Sequence, residues 1–395
     1  MEHTFQSPRP IPDFLRKDVV SKLAYVDESI AQVTLDDHDT LHCHLRTELT
    51  PDQRQILDGK MQQVIDLLVT STRQPMIKII ENHLDRPVPG RTDPMPQLLE
   101  TGQLVHTGDG MFSLGPLVAG LCRYFENRFF QLALSQGAGI HRFPSMIPAS
   151  FLEKIQYFKN FPHSLSFAAH LRTDLNTIER FATETRCQDG VLHLPKDSFS
   201  GIRHLLAPTV CHNYYLFLAN RTLPHPLAMA TALGTCYRYE SINMHSLERL
   251  WNFTMWEVIF VGTANLVKEA LLRVGQEASL LLQEWGLAYR LENANDPFFI
   301  REFGMQTGFQ NIYDLKYEYR ARLPFKEGTL AVGSRNYHMD FFGRQMQIQL
   351  PDHTTAHSGC IGFGLERLAF AFLAQYGIDP NQWPESIRTA LFPTP

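Results

Sequence analysis

Two stretches of the chain combine residue types that handle phosphates. The first runs from Cys236 through Tyr237, Arg238 and Tyr239 to Glu240, and continues with Arg249, Phe253 and Glu257. A guanidinium held by a nearby carboxylate clamps a phosphate through paired hydrogen bonds, a second arginine reaches a terminal phosphate, and an aromatic face stacks a purine. Nucleotide chemistry is the sharp reading of Arg238, Glu240, Arg249 and Phe253; the plain one is a strand with an ordinary Arg and Glu on one face. The second stretch is Gly362, Phe363, Gly364, Leu365, Glu366 and Arg367, opening an apolar helix that ends at Gly377. Glycines at a strand-to-helix junction let a ligand approach the main chain, and Arg367 in the first turn adds charge to the helix's positive end. That is a good place for a triphosphate.

Such residues need a scaffold, and composition bounds it. The chain has 395 residues, 44% hydrophobic and 19% charged, with a net charge of -5. It is long enough for a sizeable core and shows no fibrous, collagenous or disordered bias. No apolar run reaches the roughly 18 residues of a membrane span and the start lacks a signal-peptide layout, so a soluble, cytoplasmic protein without a membrane partner is expected. The six cysteines include no CxxC pair, in keeping with a reducing compartment.

Pro87, Pro89, Gly90, Pro94 and Pro96 form the densest cluster of breakers, and we place a domain boundary there. Residues 1–95 read as a small α+β module. Its expected strands are Ile30–Thr34 and Thr40–Leu45, and its helix starts at Pro51 behind Thr50, with Ile56, Met61, Val64, Ile65 and Leu68 on one face. The module holds 11 Lys and Arg against 15 Asp and Glu, so it is acidic. Cys43 between His42 and His44 alternates as a solvated strand face does. Downstream, helical spacing from Leu117 to Leu132 leads into a strand at Ile140–Phe143. Further strand-like stretches fall at Ala207–Cys211, Thr235–Glu240, Trp256–Val261, Leu315–Arg320, Leu330–Ser334 and Gln345–Leu350, with an amphipathic helix from Leu266 to Trp285. Too few helices alternate with them for a parallel sheet, so an α+β fold with an antiparallel sheet flanked by helices is favoured.

Together the two phosphate-handling stretches resemble motifs 2 and 3 of the class II aminoacyl-tRNA synthetases, and the helix and strand ending at Pro144 resemble motif 1, which builds the dimer interface in that class. The resemblance covers residues 98–395. Within it, Cys211 stands where bacterial seryl synthetases carry a glutamate that reads the amino group, Cys360 precedes motif 3, and Glu257 ends motif 2. This set resembles the zinc arrangement of archaeal-type seryl-tRNA synthetases and of their truncated relatives, the amino acid:[carrier protein] ligases. Spacings of 46 and 103 residues carry no metal signature by themselves; two buried cysteines and a surface glutamate are the alternative. Arg142, Leu152–His163, Asn295–Phe299, Lys316–Glu318, Asn336–Gly343 and His357–Cys360 extend the likeness to the ligases.

The resemblance implies roles. Zn²⁺ on Cys211, Glu257 and Cys360 would hold an amino group, Arg238 and Glu240 the α-phosphate and adenine end of ATP, and Arg249 and Arg367 the γ-phosphate. Phe253 would stack on adenine and Ser334 sit near Mg²⁺, although Ala331 replaces the usual metal-binding glutamate. The implied activity is activation of a small amino acid as its adenylate, followed by transfer to the phosphopantetheine thiol of a carrier protein, in a homodimer with no tRNA partner. A shortened seryl-tRNA synthetase and a noncatalytic amino-acid- or nucleotide-binding paralogue are the other readings. Every assigned residue lies beyond the proline cluster, so adenylate formation is expected to proceed without residues 1–95.

Overall fold

The computed structural model describes residues 1–72, 77–296 and 315–392. At the N-terminus, β1 (Glu2–Gln6), β2 (Ile30–Leu35) and β3 (Thr40–Leu45) form an antiparallel sheet in the order β1-β3-β2. It packs with α1 (Arg16–Leu23) and α2 (Pro51–Ser71) around a core of its own that includes Leu15, Val19, Leu41, Met61 and Ile65. Thr50 and Gln53 close a capping box at the start of α2. The face differs from the expected one by one position: Leu57 is buried and Ile56 is 59% exposed. Leu57, Met61, Val64 and Leu68 follow the three-to-four spacing of one helix face, whereas Ile56 sits a step of about 100° away.

The main body is an eight-stranded sheet. Its strands, in chain order, are β4 (Ile79–Asn82), β5 (Gly139–Ile140), β6 (Leu227–Tyr237), β7 (Asn252–Gly262), β8 (Tyr289–Asn293), β9 (Lys316–Arg322), β10 (Thr329–Met339) and β11 (His357–Gly364). In space they run β4-β8-β9-β10-β11-β7-β6-β5, all antiparallel except the short β5–β6 pair. The chain thus enters this sheet at Ile79, ahead of the proline cluster. Helices α3 (Pro116–Ser135), α5 (Ala264–Glu284) and α6 (Leu365–Tyr376) cover one face; α4 (Cys211–Phe217) lies on the other.

The two-residue period of β7 sets the division of labour between faces. Trp256, Val258 and Phe260 enter the helix-side core, while Phe253, Met255, Glu257 and Ile259 point the opposite way. On the core side Phe129 of α3 is stacked between Trp256 at 4.6 Å and Phe363 at 4.5 Å. Removing a buried ring of this kind costs about 3 to 5 kcal/mol, so α3 is pinned to β7 and β11.

Two expected strands are not formed. Pro208 interrupts Ala207–Cys211: the strand there is His204–Leu206, and Cys211 begins α4. The Gln345–Leu350 stretch instead contains the end of a helix, Phe341–Met346, with Gln347 in the left-handed region at φ 53°. Pro297, Phe298 and Phe299 of the ligase-like stretch lie outside the described residues.

Candidate functional site

The sheet register brings the predicted residues to one face. Glu257 in β7 pairs with Gly362 in β11, Gly362 pairs with Ser334 in β10, and Ser334 pairs with Glu318 in β9. One register step away Cys360 pairs with Asn336 and Ile259. Glycine at 362 is a close-approach requirement: a Cβ there would come within 2.9 Å of the Glu257 side chain.

Cys211, Glu257 and Cys360 converge, with ligand atoms all within 4.8 Å of one another and every residue buried. Cys211 arrives from another element. As the first residue of α4 its N–H has no partner inside the helix, and it donates to Glu257 Oε2 at 2.9 Å. Thr209 Oγ1 donates to the other carboxylate oxygen at 2.7 Å. Asn336 Nδ2 points at Cys360 Sγ at 3.6 Å and donates to Ser334 Oγ at 3.0 Å. Burial pushes the Glu257 carboxyl up to about 8, with the Cys360 thiolate adding to it. Within the thiol pair the hydrogen bond from Cys211 lowers Cys360, and the same bond, then burial, raises Cys211. Two sulfurs and one oxygen, buried and crowded together, suit a dication that accepts soft and borderline ligands, which is the preference of Zn²⁺. Among the described residues no other such cluster occurs, and His42 and His44 instead face Asp36 and Glu2 on the exposed side of β3.

The arginines gather beside this cluster. Arg238, just past β6, donates through Nε to Pro208 O at 2.9 Å, which ties it to the loop that delivers Cys211, and its guanidinium lies 5.4 Å from the Phe253 ring centre. Glu240 joins the other two: Arg249 Nη1 is 2.6 Å from one oxygen and Arg367 Nη2 is 3.8 Å from the other. Burial alone would raise Glu240, but Arg249, Arg367 and Arg238 outweigh it and hold the carboxyl below its usual range. Glu366 caps the arrangement from α6 by accepting the Thr254 N–H at 2.9 Å. The structure therefore unites Arg238, Glu240, Arg249, Phe253 and Arg367 in one cluster. Ser334 sits on the same sheet face, in the row of Glu257 and Gly362.

Sequence reasoning missed three contributors. Thr209 and Asn336 act on the ligand cluster, and the only signal was their place two residues before Cys211 and within a ligase-like stretch. The third is α1. Ser241 Oγ donates to Ala24 O at 3.4 Å, Tyr25 Oη to Tyr239 O at 3.5 Å, and Ile242 packs on the N-terminal core, so the module is seated on the turn that carries Glu240 and Arg249. No local pattern announces that contact.

No protein-family model matches the chain. Among curated proteins, amino acid--[acyl-carrier-protein] ligase 1 of Bradyrhizobium diazoefficiens is 30% identical over 321 residues, covering 80% of this chain and 94% of the relative. Ligase 2 of the same organism is 32% identical over 298 residues, covering 73% and 87%. The chain belongs to the amino acid:[acyl-carrier-protein] ligase family. That family's tie to seryl enzymes is visible too. A type-2 serine--tRNA ligase of Methanococcus aeolicus is 27% identical over 325 residues, which is 80% of this chain but 62% of that protein's length. The fold matches the seryl-tRNA synthetase of M. kandleri, solved with a tRNA, at a TM-score of 0.71 and 19% identity over 99% of this chain and 77% of that one. Like these neighbours, the ligase-family chain has the class II synthetase-like α+β architecture expected from its motifs. No helix among the described residues is long and apolar enough to cross a membrane.

Proposed function

We propose that the protein activates a small amino acid with ATP and transfers it to the phosphopantetheine thiol of a carrier protein. The observation that carries this reading is the side-by-side placement of two sites on one sheet face: a soft-ligand cluster, Cys211, Glu257 and Cys360, and an arginine cluster around Glu240. One suits an amino group, the other a triphosphate, and an aminoacyl-adenylate joins those two ends.

Cys211, Glu257 and Cys360 would hold Zn²⁺, which would supply a Lewis-acidic position for the neutral α-amino group. Thr209 and Asn336 keep the ligands in place. With the amino group fixed, the substrate carboxylate attacks the α-phosphorus; the new bond is C(O)O–Pα, and the Pα–O bond to the β-phosphate breaks. Arg238 offsets charge on the α-phosphate, Phe253 stacks on adenine, and Arg249 and Arg367 leave Glu240 to engage the γ-phosphate. The carrier thiol, losing its proton, then attacks the acyl carbon and AMP departs. No nucleophile of the enzyme is needed. Position 331 offers no side-chain ligand and Glu318, opposite Ser334, is held by Arg320 at 2.6 Å and Lys316 at 3.4 Å. Mg²⁺ would therefore come as the counter-ion of ATP, with Ser334 the residue that would lie near it.

The carrier is favoured over tRNA because the relatives at 30% and 32% identity are carrier-protein ligases, against 27% for the seryl-tRNA ligase, and because residues 1–95 are acidic. We take residues 1–95 as an accessory module, apart from β4, which belongs to the main sheet, and 98–395 as the catalytic part. We also take the enzyme as a cytoplasmic homodimer: β5 is an edge strand, and its Ile140 is 62% exposed, as a self-complementary interface along the motif 1 segment requires. Amino-acid-dependent exchange of pyrophosphate into ATP, run with each amino acid in turn, tests the activation step. Exchange with none of them would sink the reading.

A further inference from the structure

The N-terminal module is acidic as a whole, yet the corner it turns toward the arginine cluster is basic. Arg16 and Lys17 of α1, with Val20, Ser21 and Leu35, line a cavity of about 350 Å³ whose remaining wall is Arg249. Lys17 also lines a second, larger cavity of about 670 Å³ over β8, β9 and the turn after β9. Its cationic lining is Lys17, Arg91, Arg290, Arg320, Arg322 and Lys326, against Glu292 and Glu327. Several of these charges are already matched: Arg290 lies 2.7 Å from Glu292, and Lys326 2.8 Å from Glu248. Others are not. Arg91 donates to the carbonyls of Val88 and Gly90, Arg322 donates to that of Arg86, and neither is ion-paired among the described residues. Lys17, exposed at the junction of the two cavities, has no carboxylate partner there either.

The larger cavity lies on the reactive face of the sheet. Arg320 pairs across the strands with Ala331 and Arg290, Glu318 pairs with Ser334, and these side chains alternate with Tyr319 and Ala321, which enter the core on the other side. Lys17 thus lines both the cavity walled by Arg249 and a chamber with excess positive charge.

We infer that this chamber receives the pyrophosphate that leaves the α-phosphate, with Lys17 of the N-terminal module at its threshold. The inference rests on the activation chemistry proposed above. When the Pα–O bond breaks, its electron pair stays on the departing oxygen, so pyrophosphate gains negative charge as it separates. Arg249 and Arg367 meet it first; Lys17, Arg322 and Arg91 then offer charge with no carboxylate to displace. The N-terminal module is in this account part of the nucleotide site, contrary to the expectation that adenylate formation ignores residues 1–95. Phosphate of a phosphopantetheine arm shares the same chemistry, but Lys17 lines this chamber and also the cavity walled by Arg249, which assigns it to the nucleotide.

The test uses the full-length chain and the exposed Lys17, whose replacement removes no core contact. In pyrophosphate exchange, Lys17→Glu is expected to raise the KM for pyrophosphate about tenfold or more, the size of one lost hydrogen bond to a charged group, with Lys17→Arg restoring most of it. An unchanged KM in a variant with the wild-type melting curve overturns the inference, as does a defect confined to transfer onto holo carrier. If the wild type supports exchange with no amino acid, the functional reading fails separately. Calorimetric titration with inorganic pyrophosphate then decides this site alone: binding that Lys17→Glu abolishes supports it, and absence of binding to the wild type refutes it.

Discussion

Replacing Lys22 by methionine should make the protein more stable. Lys22 is 4% exposed, on α1 where the helix meets the turn carrying Glu240 and Arg249. Burial lowers its ammonium from 10.5 to about 8, Arg249 adds to the drop, and the attraction of Asp18 and Glu240 recovers only part of it. Burial likewise raises Asp18, so both partners lean toward neutrality, as expected of a buried pair whose desolvation exceeds its Coulomb gain. At about 1.4 kcal/mol per unit the drop corresponds to roughly 3 kcal/mol, an upper figure because methionine also strands the neighbouring carboxylates. The sign follows from the two states. Below pH 8 the lysine is charged both folded and unfolded, and the folded state carries the desolvation cost in full. From about 8 to 10.5 the folded protein sheds its proton first and stability recovers with pH; above 10.5 nothing remains to gain. Lys22→Met should therefore be about 1 to 3 kcal/mol more stable at pH 7, with the gap closing by pH 10.5. Urea unfolding midpoints of both proteins, followed by circular dichroism at the two pH values, measure it. A variant no more stable at pH 7, or a gap of equal size at both, would refute the burial argument and with it the seating of α1.

The remaining expectations are more direct. Purified protein should hold about one Zn²⁺ per chain by elemental analysis, and the double substitution Cys211→Ser, Cys360→Ser should remove it; metal content that survives the substitutions rules out this ligand set. Arg238→Ala and Arg367→Ala should each lower amino-acid-dependent pyrophosphate exchange by about two to three orders of magnitude, the cost of one charge-assisted contact in the transition state, and rates within about threefold of wild type would remove the arginines from the nucleotide site. Phe129→Ala should lower the stability of the main domain by about 3 to 5 kcal/mol in denaturant, because the ring stacks on both Trp256 and Phe363; a loss under about 1 kcal/mol would mean that α3 is not held by that stack.

The candidate face was legible where the residue pattern repeats with a local period. Phe253 and Glu257 share a face because strand residues alternate, and Gly362 marks a floor that a side chain must not fill. Cys211 was legible only through likeness to a family, since nothing in a spacing of 46 residues brings it to Glu257; the contact is made by the helix-initial N–H of Cys211 itself. The expected strand at Ala207–Cys211 failed for the same reason: five residues with apolar character do not reveal that Pro208 ends the strand and frees Cys211 to start a helix. Ile56 and Leu57 show the finer limit, because adjacent apolar residues leave the phase of a helix open until its neighbours are known. The contacts of Ala24 and Tyr25 with the turn at residues 239–249 link segments more than two hundred residues apart in sequence, and no periodicity reports on them. β4 joins the main sheet from before the proline cluster for a like reason: its partner, β8, lies on the far side of the chain.

The most direct test of the central claim is where the activated acyl group goes. Protein, ATP, Mg²⁺ and the amino acid that supports pyrophosphate exchange are incubated with holo carrier protein or with bulk tRNA, and each acceptor is then analysed by mass. The account predicts an aminoacyl thioester on the carrier, absent when the carrier lacks its phosphopantetheine arm and labile to hydroxylamine, with no ester on tRNA. Aminoacylated tRNA together with an unmodified carrier would contradict it.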